Sequence, residues 1–433
     1  MANALADSVK RASGRPGRGQ PVLVGFSGGL DSTALLHLLA HDADTRSAGL
    51  RAIHVHHGLH ADADAWSAHC ARVCSSLSVP LETVRVRVNA TTGLGLEGAA
   101  RTARHRVFED TLRPDEVLAL AHHRDDQAET FLLRALRGSG VDGLAAMRAW
   151  RVFADGWLWR PLLDTARAEL QAYAHVRQLS WIEDPSNTGT AQDRNFLRNE
   201  VLPLLQARWP HASTSFARSA CLASNAAELL VQEDDALLAS LASGNTLHVD
   251  ALLTLPAARR ARVLRAWADA RALPPLPANG IDCIEQQLLH ARVDADACFA
   301  WAGACIRRWR DVLHASNAVT ALPLDWSHTW DGASALTLPT GDTLQLVGAT
   351  RFDAPLRVHA RQGGERIVQP GRQHSHALKH LLQEHGIPPW QRMRLPLLSD
   401  GEELLAAGDG ILSARMAGWL RARCANLRWT CLA

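Results

Sequence analysis

The 433-residue sequence predicts an α/β protein with three parts. An N-terminal doubly wound parallel sheet is followed by a mostly helical middle domain and a small mixed α+β C-terminal domain. Three observations predict this. Apolar runs of strand length alternate with helical runs through the first half, the pattern of repeated βα units. From about Ser213 helix-period stretches take over. The last segment mixes short strands with one helix and carries 12 Lys and Arg against 7 Asp and Glu. The domains are accordingly placed at 1–215, 216–350 and 351–433.

Each element follows in order. "PVLVGF" is a strand and "DSTALLHLLA" a helix; "LRAIHVHH" is the next strand, and "DADAWSAHCARVCSSL" a helix with Asp62 as its candidate cap. "PLETVRVRV" and "EGAARTARHRVFEDTL" form the third unit, "EVLALAHH" and "DDQAETFLLRALRG" the fourth, closed by Gly138. "SWIEDPSNTGTAQDRN" then breaks the alternation with turn formers, before a short helical piece ending near Pro203. In the middle segment "FARSACLASNAAELLVQEDDALLASLA" and "PAARRARVLRAWADAR" are helical, the second with Pro256 in its first turn. "LPPLPANG" connects helices, while "ACFAWAGACIRRWRDVLHAS" and "ALTLPTGDTLQLV" have the form of hairpins. "HSHALKHLLQEHG" is the C-terminal helix, stopped by Gly386 and Pro388.

Composition narrows the class. Hydrophobic residues make up 47% and charged residues 21%, an ordinary globular balance. No apolar run reaches the length of a membrane span, so no membrane partner is expected. The N-terminal "MANALADSVKRASGRPGRGQ" lacks the apolar centre of a secretory signal and reads as a basic arm. Eight scattered cysteines without a Cys-x-x-Cys fit a reducing cytoplasm. Residues 1–215 hold 24 basic against 23 acidic groups, and residues 216–350 hold 10 against 14. The surplus therefore collects at the C-terminal end, where a polyanion partner or a solvated face explains it equally well.

The chemistry concentrates in the turn Ser27-Gly28-Gly29-Leu30-Asp31-Ser32. A strand running through glycines into a helix presents free N–H groups and the positive helix end, where phosphate binds. Gly28 and Gly29 let backbone approach closely, and Ser27 and Ser32 add hydroxyls. Asp31 beside phosphate would repel it unless a divalent cation intervenes, which makes Asp31 the candidate Mg2+ ligand. The turn lacks both the Walker A ending and the dinucleotide G-x-G-x-x-G. "HVHHGLH" (His54 to His60) ends the second strand and "HHRDDQAET" (His122 to Thr130) the fourth, where open sheets place ligands. A zinc site from His54, His56, His122 and His123 competes only weakly with ordinary strand packing.

The turn resembles the PP-loop signature SGGxDS, whose Rossmann-like family holds pyrophosphate there while transferring AMP. With "EGAARTARH", "RPLLDTARAEL", "WIEDPSN", "RNFLRNEVLP" and "LKHLLQEHGIPPWQRMRLPLL", the sequence resembles the tRNA(Ile)-lysidine synthetase family. The likeness is strong over residues 21–205 and clear again over 363–415. His60 stands where arginine is usual and His105 where tyrosine is common.

The resemblance implies a ligase that adenylates the wobble cytidine of the CAU-anticodon isoleucine tRNA with ATP. The ε-amine of free L-lysine then displaces AMP. It implies ATP contacts from Ser27 to Ser32 and from His54, His57 and Gly58. Asp126 and Glu129, one helical turn apart, suit the lysine amine, and Arg101 or Arg104 its carboxylate. Arg194 and Arg198 share a helical face and are assigned to catalysis, clamping phosphate or the RNA backbone, with a surface ion pair to Asp193 or Glu200 as the plainer alternative. Lys379, Trp390, Arg392 and Arg394 are the candidate tRNA contacts, Trp390 as a stacking ring. Another PP-loop tRNA enzyme such as a thiolase, an amidotransferase or NAD synthetase type, and a non-catalytic RNA-binding module are the rivals. The oligomeric state is open, with a homodimer one arrangement compatible with the sequence.

Overall fold

A computed structural model describes residues 19–87, 95–185, 189–190, 192–292, 297–318 and 320–431. The basic N-terminal arm lies outside them. The chain divides into two compact units, the first ending at Leu230 and the second beginning at Val231.

The first unit is built on a six-stranded sheet in the order β3-β2-β1-β4-β6-β5. Its strands are β1 (Val22–Gly25), β2 (Leu50–His56), β3 (Leu81–Arg85), β4 (Val117–Ala119), β5 (Trp150–Phe153) and β6 (Gly156–Trp159). All neighbours pair in parallel except β5, which runs antiparallel to β6 at the edge. The β1 strand is apolar at successive positions because both its faces are covered: Leu23 and Val24 are fully buried in separate clusters. Helices α1 (Leu30–Ala40), α2 (Ala43–Ala48), α3 (Ala63–Ser76), α4 (Gly95–Thr111) and α5 (Arg124–Leu136) complete the expected βα units. Strand order reverses between β1 and β4, so their C-terminal ends open a crevice. The β5–β6 hairpin was not anticipated. Asp62 does occupy the N-cap of α3, yet its side chain makes no capping hydrogen bond.

Past α6 (Val141–Leu144) and α7 (Arg167–Val176) comes α8 (Asp193–Phe196), then a π-helical turn, Leu197–Val201. Helix α9 (Leu202–Arg208) continues beyond Pro203, which stands in its first turn where no N–H is needed. The helical piece therefore ends five residues later than expected. Helix α10 (Ala212–Leu241) is the long helix predicted after Ser213.

In the second unit, α11 (Val249–Leu253), α12 (Ala257–Ala270) and α13 (Ala278–Cys283) cover one face of a five-stranded sheet. Pro256 caps α12 rather than entering its first turn. The sheet runs β7-β8-β11-β10-β9, with β7 (Ala242–Ser243), β8 (Thr246–His248), β9 (Cys298–Trp301), β10 (Ala304–Trp309) and β11 (Val312–Asn317). The proposed boundary at 350 cuts through paired strands. β12 (Ser327–Trp330) pairs with β15 (Leu356–His359), and β14 (Thr343–Val347) with β21 (Asn426–Thr430). Leu322, Trp330, Leu344 and Leu346 share one core with Leu398, Met416 and Leu427. Residues from about 320 onward thus fold with the C-terminal sheets. Helix α14 (Leu378–Glu384) is the predicted C-terminal helix.

Candidate active site

The turn after β1 is held open by its own polar groups. Ser27 and Ser32 share a hydrogen bond at 3.0 Å, and Ser32 Oγ donates to the Gly29 carbonyl, also at 3.0 Å. Gly28 has φ of +82°, and a Cβ there would lie 2.6 Å from Ile182 and 2.8 Å from the Cys70 sulfur. Only glycine fits. Gly29 is the N-cap of α1 and Leu30 its first residue, so the loop ends at a helix N-terminus as expected. The Ile182 N–H donates to the Gly28 carbonyl at 2.9 Å, and Gly29 bridges Ile182 in strand fashion.

Asp31 faces the cleft. Its Oδ2 lies 3.6 Å from His123 Nε2, and its Oδ1 lies 4.0 Å from Arg167 Nε. That Oδ1 is buried without a hydrogen-bond partner. A single carboxylate oxygen left in this way fits Mg2+, which is usually held by one or two carboxylates together with substrate phosphates and water. No group of three His, Cys, Asp or Glu able to hold a metal exists among the described residues, which removes the histidine zinc site. His54 instead contacts the Phe26 carbonyl at 3.0 Å through Nδ1, and His56 contacts Asp64.

Asp126 and Glu129 do converge with Arg194 and Arg198, but as one ion-pair network. Arg194 Nε donates to Glu129 Oε2 and Arg198 Nε to Glu129 Oε1, each at 2.6 Å. Both guanidiniums also reach Asp126 Oδ1, at 3.0 and 2.9 Å. Glu129 is fully buried. The alternative of a surface pair with Asp193 or Glu200 is replaced by this buried one. The π-helical turn after α8 carries Arg198 onto the same carboxylates as Arg194.

His123 joins the two halves of the site. Burial opposes its positive charge, but the nearby carboxylates of Asp31, Asp126 and Asp125 outweigh it and raise its pKa. Its neighbour His122 is held neutral, down to about 3, chiefly by burial. Arg160 Nε donates to His122 Nδ1 at 3.2 Å, which leaves the ring proton on Nε2. His57 is held at about 4, first by burial and then by Arg104.

A cleft of about 910 Å3 unites these groups, lined by Ser27, Gly29, Leu30, Asp31 and Ser32, by His54 and His57, and by Arg101, Arg104, Arg194 and Arg198. Gly58 lies outside the lining and turns the chain at φ of +66°. Sequence reasoning did not single out Trp66, Arg160, Arg167 and Trp181, which line the cleft too. Arg160 and Arg167 both belong to the run "RPLLDTARAEL", where the signal was available.

The proposed RNA contacts fare differently. Trp390 is buried, edge-on to His314 at 5.2 Å and under Arg307 at 5.3 Å, with no open face for a base. Arg394 pairs with fully buried Asp342, Nε donating at 3.1 Å. Arg392 donates to the Ile387 carbonyl at 2.6 Å. Of the four, Lys379 is exposed.

A Gly-rich phosphate turn at the switch point of a parallel sheet, with its own aspartate facing the cleft, defines an ATP-using enzyme of the PP-loop class. Residues 2–205 match the PP-loop domain family, residues 247–314 the TilS substrate binding domain and residues 356–429 the TilS substrate C-terminal domain. The tRNA(Ile)-lysidine synthase of Xanthomonas axonopodis pv. citri (strain 306) is 58% identical over 412 residues, 94% of each chain. That of Xylella fastidiosa (strain Temecula1 / ATCC 700964) is 53% identical over 420 residues, 96% of each. The chain belongs to the tRNA(Ile)-lysidine synthase family, ligases that form a carbon–nitrogen bond.

Proposed function

We propose that the protein carries out the reaction for which its relatives are named. ATP adenylates the wobble cytidine of the CAU-anticodon tRNA(Ile), and free L-lysine displaces AMP to give lysidine. Reading then switches from AUG to AUA and identity from methionine to isoleucine. The observation that carries this is the full-length likeness together with an intact Ser27–Ser32 turn opening on the same cleft as Arg194 and Arg198, which rest on Asp126 and Glu129. The site of action is the cytoplasm, in keeping with the absence, among the described residues, of a helix long and apolar enough to cross a membrane.

The cytosine ring oxygen is a poor leaving group and AMP a good one, so adenylation is the enabling step. The turn's N–H groups and the α1 N-terminus receive the phosphates. Asp31 would hold Mg2+, which would supply positive charge beside them. Arg194 and Arg198 are kept in place by Glu129 and face the cleft, where their remaining N–H groups suit phosphate oxygens. The lysine amine joins the carboxylates of Asp126 and Glu129 in the same network, and its carboxylate goes to Arg104 or to Arg101 one turn back. Neutral His57, which lines the cleft, is placed to accept a proton from that amine.

Two thiols argue against the thiolase reading. Burial pushes Cys70 up to about 12 and Cys74 up to about 11, so neither offers a thiolate. The test is to incubate the protein with ATP, labelled lysine and tRNA(Ile) transcript. Lysine incorporation with matching pyrophosphate release is expected; release without incorporation would refute the assignment.

A further inference from the structure

The wall of the cleft next to β5 gathers more positive charge than one amino-acid carboxylate requires. Arg101 and Arg104 come from α4, and Arg160 follows β6; all three line the cleft. Arg151 joins them from the edge strand β5. Its guanidinium lies 5.4 Å from the Phe153 ring, and His105 of α4 packs edge-on against that same ring at 5.9 Å. One aromatic side chain thus seats Arg151 against the helix that carries Arg101. Behind them, Arg134 spends its Nη1 on the carbonyls of Gly143 and Ala146, at 2.7 and 2.9 Å.

What holds these cations is unusual. Among the described residues, Arg101, Arg134, Arg151 and Arg160 form no ion pair with a carboxylate. Arg160, itself 7% exposed, is held by the Arg148 carbonyl at 2.7 Å and by His122. Burial first, and then the neighbouring guanidiniums, push Arg134, Arg151 and Arg160 below the ordinary arginine range, Arg160 to about 10, with Glu109 offsetting part of the effect at Arg151. Positive groups crowded with so little counter-charge are relieved by an anion. Planar donors in a fork match a phosphodiester, and the open edge strand leaves room for a polymer to pass.

We infer that Arg101, Arg151 and Arg160 hold a backbone phosphate of the RNA beside the nucleotide being modified, which leaves the lysine carboxylate to Arg104. This rests on the proposed reading of the cleft as an RNA-modifying site. Arg151 is the residue to test, because it is exposed on an edge strand and its loss leaves the core intact.

The experiment is filter binding of tRNA(Ile) transcript to the full-length protein across a salt series, with Arg151→Ala, Arg151→Glu and Arg151→Lys. For the alanine variant the slope of log affinity against log salt falls by about 0.7, one single-strand phosphate contact. The lysine variant restores it. Steady-state kinetics show a raised KM for tRNA and an unaltered KM for lysine. An unchanged slope in Arg151→Glu, or a raised KM for lysine instead, overturns the inference. Lysidine formation by the wild-type protein on the same transcript is scored separately, so a failure of the general reading shows itself apart from a failure at Arg151.

Discussion

The cleft of the first unit and the basic end of the second contain the same residue type put to opposite uses. In the cleft, Arg194 and Arg198 rest on buried Glu129 yet still face the open space. In the second unit, Arg394 is absorbed by Asp342 and Arg392 by a backbone carbonyl. A surplus of charge along a sequence therefore says nothing about which guanidinium meets solvent. The partner decides, and the partner is distant in sequence: Asp342 is 52 residues from Arg394.

The largest effect belongs to Glu129→Gln. Removing a fully buried carboxylate that holds two guanidiniums costs about 3–5 kcal/mol. A large drop in melting temperature should accompany loss of lysidine formation. If Glu129 served only the lysine amine, melting would not move. Arg394→Ala takes the guanidinium away from buried Asp342 and costs about as much. Here, however, the tRNA salt slope of the folded fraction should stay at the wild-type value. The exposed Lys379→Glu should do the reverse, altering the slope while leaving denaturant midpoints within about 0.5 kcal/mol of wild type. A reversed pattern would dissolve the contrast between the two regions.

Asp31→Asn comes next. It keeps the helix start and removes the charge, so pyrophosphate release should fall about 100-fold or more with an unchanged melting temperature. Near-normal release would deny Asp31 its metal role. The smallest effect is on pH dependence. His105 is held at about 4, by burial and then by Arg101, Arg104, Arg151 and Arg160. A pKa depressed in the fold means that the unfolded chain takes up the proton first. Its contribution to stability is therefore complete above about pH 6.5 and is lost as pH falls through about 4. Urea midpoints measured from pH 7.5 to 4 should decline less steeply in His105→Gln than in wild type.

Local patterns carried much of the first unit into view. Strand length, glycine positions and the Asp126–Glu129 spacing are fixed within a few residues, and so the βα units and the phosphate turn were legible. The β5–β6 hairpin escaped because its strands are only four residues each and partly exposed. The boundary at 350 failed for a similar reason. β12 and β14 are short, and their membership is decided by pairing with β15 and β21 rather than by their own composition. A deletion beginning at residue 351 would strip both strands of their partners, so it cannot isolate RNA binding from folding. Trp390 misled through its setting: flanking prolines and arginines suggested an exposed ring, whereas His314 and Arg307 enclose it.

The hydrogen bond from Ile182 to Gly28 has a consequence for protein engineering. Six residues of signature are not a portable part. Grafted alone onto the first strand of another parallel sheet, Ser27–Ser32 would arrive without the second backbone segment that pins its left-handed glycine, and without the small Cys70 side chain that leaves it room. The transferable unit is a pair of segments about 150 residues apart, and a designer must copy both or expect a turn that relaxes into an ordinary helix start.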